Sequence, residues 1–124
     1  MVMVLEQKII DQIAAIGINR KPNEACGLLL PVPVNNIQVI ELPNRSRYPH
    51  DSFEMKGEDM ILALEQTFRG DFPEHLVESL TAWHTHPAGN IGPSQFDLRN
   101  KPALLRSLVV TIFEDGTPPK ATWF

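Results

Sequence analysis

Of cysteine and of tyrosine, the 124 residues hold one each, and aromatic residues together make up only 7%. A single thiol, Cys26, excludes an internal disulfide framework and is compatible with a reducing compartment. It lies between Ala25 and Gly27 and ahead of Leu28-Leu29-Leu30, the setting of a small buried hydrophobe rather than of a nucleophile or ligand. Charge is moderate, at 21% of residues with a net charge of −4, so there is no basic footprint for nucleic acid. No apolar run approaches the length of a membrane span. No basic region precedes an apolar stretch at the N-terminus, so a secretory leader is not expected and a cytoplasmic location is. Internal repeats and a linker are also absent, which leaves one domain over residues 1–124.

At 43% hydrophobic, the chain can bury a sizeable core, roughly two-thirds of the surface its unfolded form would expose. Leu5, Ile9, Ile13 and Ile16 recur at helical spacing and predict an amphipathic helix from Val4 to Ile16, closed by Gly17. Asn19 to Asn23 is a polar loop in which Pro22 keeps its predecessor extended. Ala25 to Leu30, almost continuously apolar, predicts a strand buried on both faces. Pro31 to Asn36 is a turn, and Ile37 to Leu42 a hairpin partner. Asn44 to Ser52 is irregular and polar, followed by a short strand at Phe53 to Met55. Arg45, Arg47 and Tyr48 there read as an ordinary solvated loop, with a substrate groove as the alternative. His50 and His75 read as surface histidines. Glu58 to Phe68 predicts a second helix closed by Gly70, Asp71 to Pro73 a turn, and Leu76 to His86 a strand. A short helix over Ser94 to Asn100, ended near Pro102, precedes a strand over Ser107 to Phe113, a turn over Glu114 to Pro119, and a closing strand over Lys120 to Phe124. Trp83 and Trp123 read as packing residues. The element order predicts an α+β, or layered α/β, domain with helices on a mixed sheet.

The chemistry concentrates between Trp83 and Asp97. His84 and His86 stand two apart, and residues i and i+2 of a strand point to one face. Asp97 follows after ten intervening residues, returned by a segment whose two glycines and two prolines forbid regular structure. Two imidazoles and a carboxylate suit a divalent zinc ion, and three protein ligands leave a fourth place for water, the pattern of a catalytic site. Ser94-x-x-Asp97 also reads as a capping box, with Asp97 acidic in the first turn of a helix. The two readings are compatible, since a cap fixes the direction of the carboxylate.

His84-x-His86, ten residues, Asp97, with Ser94 ahead of it, resembles the JAMM motif of MPN-domain metalloproteases. Glu24-Ala25-Cys26-Gly27-Leu28-Leu29-Leu30 is similar to the upstream element of that family, so the resemblance runs from Glu24 to Asp97. It implies the MPN fold, with one zinc at the sheet edge held by His84, His86 and Asp97. It implies that Glu24 accepts a proton from the zinc-activated water and returns it to the leaving amine. A glutamate at the edge of a dry core has the raised pKa this role needs. Ser94 would hydrogen-bond the oxyanion or orient the water. Together with Leu42-Pro43-Asn44-Arg45 and Trp83-His84-Thr85-His86-Pro87, these segments resemble the small prokaryotic and phage branch. That implies a peptidase or isopeptidase acting on a protein or peptide, either phage tail-associated or cleaving ubiquitin-like or sulfur-carrier protein conjugates. A tail-associated member would reside in the virion. The rival is a non-catalytic MPN-type interaction module, whose relatives lack the metal ligands. A zinc deaminase would need His-x-Glu and Pro-Cys-x-x-Cys, which one cysteine cannot supply.

Overall fold

The computed structural model describes residues 5–32, 36–70, 79–101 and 106–124. Its centre is the strand β1 (Cys26–Val32), which pairs antiparallel on one side with β2 (Asn36–Leu42) and on the other with β3 (Thr81–His86). β3 runs parallel to β4 (Arg106–Thr111), and β4 pairs antiparallel with β5 (Lys120–Trp123). The order is β2-β1-β3-β4-β5, a mixed sheet of five strands. A parallel pair cannot be closed by a tight turn. The β3–β4 connection accordingly carries the short helix α3 (Gln95–Arg99).

Two apolar clusters sandwich this sheet. Helix α1 (Gln7–Arg20) lays Ile9, Ile13 and Ala14 on Leu29, Trp83, Leu108, Val110 and Ile112. On the other face, Leu64 of α2 (Gly57–Phe68) meets Leu28, Leu30, Leu42 and Leu80. The expected layered α+β architecture is therefore present. All six residues of β3 are buried, which divides them by alternation: Trp83 and Thr85 toward α1, Ala82, His84 and His86 away from it.

Several boundaries differ from the sequence-based expectation. Gly17 does not end α1, which continues to Arg20. Gly17 is buried against the sheet, and a Cβ placed there would lie 2.5 Å from Ile112 Cδ1 and 2.8 Å from Thr85 Cγ2. The residue serves close helix–sheet approach, and the stop comes at Lys21, extended at φ −50°, ψ 140° before Pro22. Phe53 to Met55 forms no strand. β1 continues to Val32, β2 begins at Asn36, and β4 begins at Arg106 and ends at Thr111. β3 begins only at Thr81. Residues before Leu5, the middle of the Pro31–Asn36 turn, the turn at Asp71 to Pro73, His75 and Pro102 lie outside the described residues. α2 ends as expected near Gly70, whose amide donates to Glu65 O at 2.8 Å. Among the described residues, no helix is long and apolar enough to cross a membrane.

Candidate functional site

The alternation of β3 aims two imidazoles at one place. His84 Nε2 lies 3.3 Å from His86 Nε2, and Asp97 Oδ2 stands 3.1 Å from the first and 3.0 Å from the second. Four donors from two distant parts of the chain, Glu24, His84, His86 and Asp97, offer ligand atoms within 4.8 Å of one another, and all four residues are buried. Ligand atoms bonded tetrahedrally to zinc at about 2.0–2.1 Å stand about 3.3 Å apart. The His–His–Asp triangle has that size already.

Each side chain is held by something specific. His86 Nδ1 donates to the carbonyl of Asn90 at 3.1 Å, which places the proton of a neutral ring on Nδ1 and leaves the Nε2 lone pair facing the cluster. The same carbonyl accepts from Thr111 Oγ1 at 2.8 Å, tying the loop after β3 to β4. His84 is stacked on Phe53, ring centroids 4.3 Å apart, with Phe124 edge-on to it at 5.8 Å. The loop after β3 turns through Gly89 and Gly92, both at positive φ, and so delivers Ser94 to the start of α3. There the capping box is complete: Asp97 N–H donates to Ser94 Oγ at 3.0 Å, and Ser94 N–H donates to Asp97 Oδ2 at 2.8 Å. The cap thus fixes the very oxygen that faces the imidazoles. Ser94 itself is exposed, and its hydroxyl keeps one proton to donate.

Glu24 enters the cluster just ahead of β1. Its amide donates to Pro49 O at 2.7 Å, and Asn44 Nδ2 donates to its carbonyl at 2.9 Å. The next residue is clamped to β3, because Ala25 N–H donates to Thr85 Oγ1 and Thr85 N–H to Ala25 O, each at 2.9 Å. Glu24 is 6% exposed, and its Oε1 has no hydrogen-bond partner. A buried carboxylate oxygen without a partner is costly. A cation or its water, seated among the four donors, would satisfy it.

The electrostatics follow from burial and crowding. Desolvation pushes the Glu24 carboxyl up to about 8, opposed by His86 and helped by Asp97 and Asp51. Burial would also raise Asp97, but the imidazoles of His84 and His86, which donate to it when protonated, and the Ser94 amide outweigh it and hold the carboxyl below the usual range. Burial lowers His84 against the pull of Asp97. His86 goes the other way, because Asp97, the Asn90 carbonyl and Glu24 together overcome its desolvation. Charge is thus divided unequally over a buried site, a pattern associated with function.

The sequence-level candidates outside the cluster behave as packing or loop residues. Cys26 is fully buried, its thiol directed at the carbonyls of Leu42 and Pro43 and pushed up to about 12 by burial. Arg45 is engaged with Asp59 at 2.9 Å, Tyr48 is exposed, and His50 sits on the surface beside Asp51. Four contributors were not foreseen: Asn44, Phe53, Asn90 and Phe124. Asn44 had a visible signal. Lying after Pro43 with Ser46 two residues on, it forms an Asx turn, Ser46 N–H donating to Oδ1 at 3.0 Å. Nothing in the sequence couples that turn to Glu24.

A solved solution structure of a protein from Salinibacter ruber is similar to this chain in fold, with a TM-score of 0.53 and 22% identity. The match covers 94% of this chain and 76% of that one. Among curated proteins none matches. The family model for prokaryotic homologs of the JAB domain matches residues 6–124, and the chain belongs to that family.

Proposed function

We propose that this protein is a zinc-dependent peptidase or isopeptidase that hydrolyses an amide bond in a protein or peptide. The observation that carries this reading is the cluster itself: two imidazoles and a capped carboxylate face one another across 3.0–3.3 Å, with an unpartnered glutamate oxygen buried beside them. His84, His86 and Asp97 would hold the ion, and their edge lengths and donor types fit it. When bound, zinc supplies a Lewis acid that acidifies a water and polarises a carbonyl.

The chain's own groups supply the rest. Glu24, desolvated and raised, is suited to take a proton and give it back. The Asn90 carbonyl keeps the His86 lone pair directed inward. Ser94 can donate its remaining hydroxyl proton to developing charge. A tail-associated role or a ubiquitin-like or sulfur-carrier conjugate as substrate is the finer expectation within this reading.

The test is Glu24→Gln. Chelator-sensitive cleavage of candidate ubiquitin-like fusions or cell-wall peptides should vanish in this variant while zinc content stays at one per chain. Cleavage at the parent rate would remove Glu24 as the base. Absence of bound zinc together with no hydrolysis would favour the non-catalytic interaction module, whose relatives lack the metal ligands.

A further inference from the structure

Beside the cluster lies a pocket of about 180 Å³ lined by Phe53, Glu54, Met55, Met60, Phe96, Asp97 and Asn100. Two of its walls belong to the site already described. Asp97 is the capped carboxylate, and Phe53 stacks on His84 with its ring. The pocket therefore adjoins the cluster through two shared residues, and its lining is mostly apolar. Phe96 is 40% exposed at the first turn of α3, and Ile91 and Leu98 on the same loop and helix are more exposed still. Exposed apolar groups gathered on the segment that carries a buried carboxylate mark a contact surface rather than a core edge.

We propose that this pocket receives the side chain of the substrate residue adjoining the cleaved bond, and that it selects a Leu-, Met- or Phe-sized apolar group. An apolar cavity of about 150 Å³ accommodates benzene, so this volume takes one side chain of that size. The occupant is apolar because two rings and two thioethers dominate the lining and its polar members are engaged elsewhere, Glu54 with Lys56 at 3.1 Å and Asn100 Nδ2 donating to Phe96 O at 2.9 Å. The pocket sets specificity and takes no part in proton transfer. This inference rests on the metal-dependent reading above and narrows its substrate class.

The test uses binding, so that it does not depend on finding the right peptide. Metal-free protein is first titrated with zinc. The loaded protein is then titrated in the calorimeter with N-acetyl-glycine hydroxamate and with N-acetyl-leucine hydroxamate, which share one metal-binding group and differ only in side chain. The leucine compound should bind about ten- to hundredfold more tightly, the value of burying one such side chain. Phe96→Ala, which opens one wall at a position already partly exposed, should shrink that ratio to about threefold or less. Equal affinities, or weaker binding of the leucine compound, would overturn the pocket assignment and leave the metal site standing. Failure of zinc itself to bind, seen before any hydroxamate is added, would overturn both.

Discussion

Asp97 Oδ2 accepts the Ser94 amide at 2.8 Å and stands within 3.1 Å of both imidazoles, so one atom carries a helix cap and a candidate ligand role together. Glu24 is its opposite, a carboxylate whose Oε1 meets no donor. This difference sets the pH behaviour of the metal-free protein. The Glu24 carboxyl titrates at about 8 when folded against an ordinary 4.5, so the folded state holds a proton that the unfolded chain has released. Its contribution is complete below about 4.5 and is lost as pH rises through 8. His86, also raised, slopes the same way, which makes the difference from Glu24→Gln the informative quantity. Melting of the metal-free parent should fall more steeply between pH 5 and pH 9, as ~1.4 kcal/mol per unit of pKa difference allows at most, than melting of the variant. Parallel curves would mean that Glu24 is not desolvated. At this scale the sequence was legible where chemistry is local. His-x-His and Ser-x-x-Asp declare their own geometry. The stacking of Phe53 on His84 did not, because it depends on how a long irregular loop folds back across the sheet.

Elements position these side chains from behind. Helix α1 approaches β3 closely because Gly17 leaves room for Thr85, the residue between the two histidines. A glycine inside a helical pattern reads as a stop when only propensity is weighed, yet α1 runs three residues past it, to Arg20. The packing partner that explains it lies far along the chain. Gly17→Ala gains about 1 kcal/mol of helix propensity but forces a methyl into space held by Thr85 and Ile112. Overpacking of this kind costs about 1–3 kcal/mol, so the variant should be less stable on balance by roughly 1 kcal/mol, measured by urea denaturation. A more stable variant would mean the helix can move away freely. α3 is the converse case, a short helix announced fully by its cap. Ser94→Ala removes one member of the box and should cost about 1 kcal/mol in stability. If the serine also serves as a donor to developing charge, turnover should fall by roughly 10²–10³ as well. A turnover loss no larger than the stability effect explains would restrict Ser94 to capping.

At the scale of the molecule, a mixed sheet with helices on both faces brings residues 24, 84, 86 and 97 to one place. The alternation of strands and helices was readable because each element carries its own periodicity. The strand order β2-β1-β3-β4-β5 was not, since it depends on pairings such as Cys26 with His84 that no local pattern encodes. Whole-molecule stability should therefore respond to a divalent ion if these four donors hold one. Binding to the folded state alone adds about 2.7 kcal/mol at a hundredfold excess over Kd. For a chain of this size, that corresponds to a melting shift on the order of 10 °C. The most direct measurement is calorimetric titration of zinc into the metal-free protein, with thermal melting of the same samples. We expect one zinc per chain and a raised midpoint for the parent and for Glu24→Gln, with neither effect in a His84→Ala, His86→Ala double variant. Equal zinc uptake by the parent and the double variant, or no uptake by either, would contradict the account.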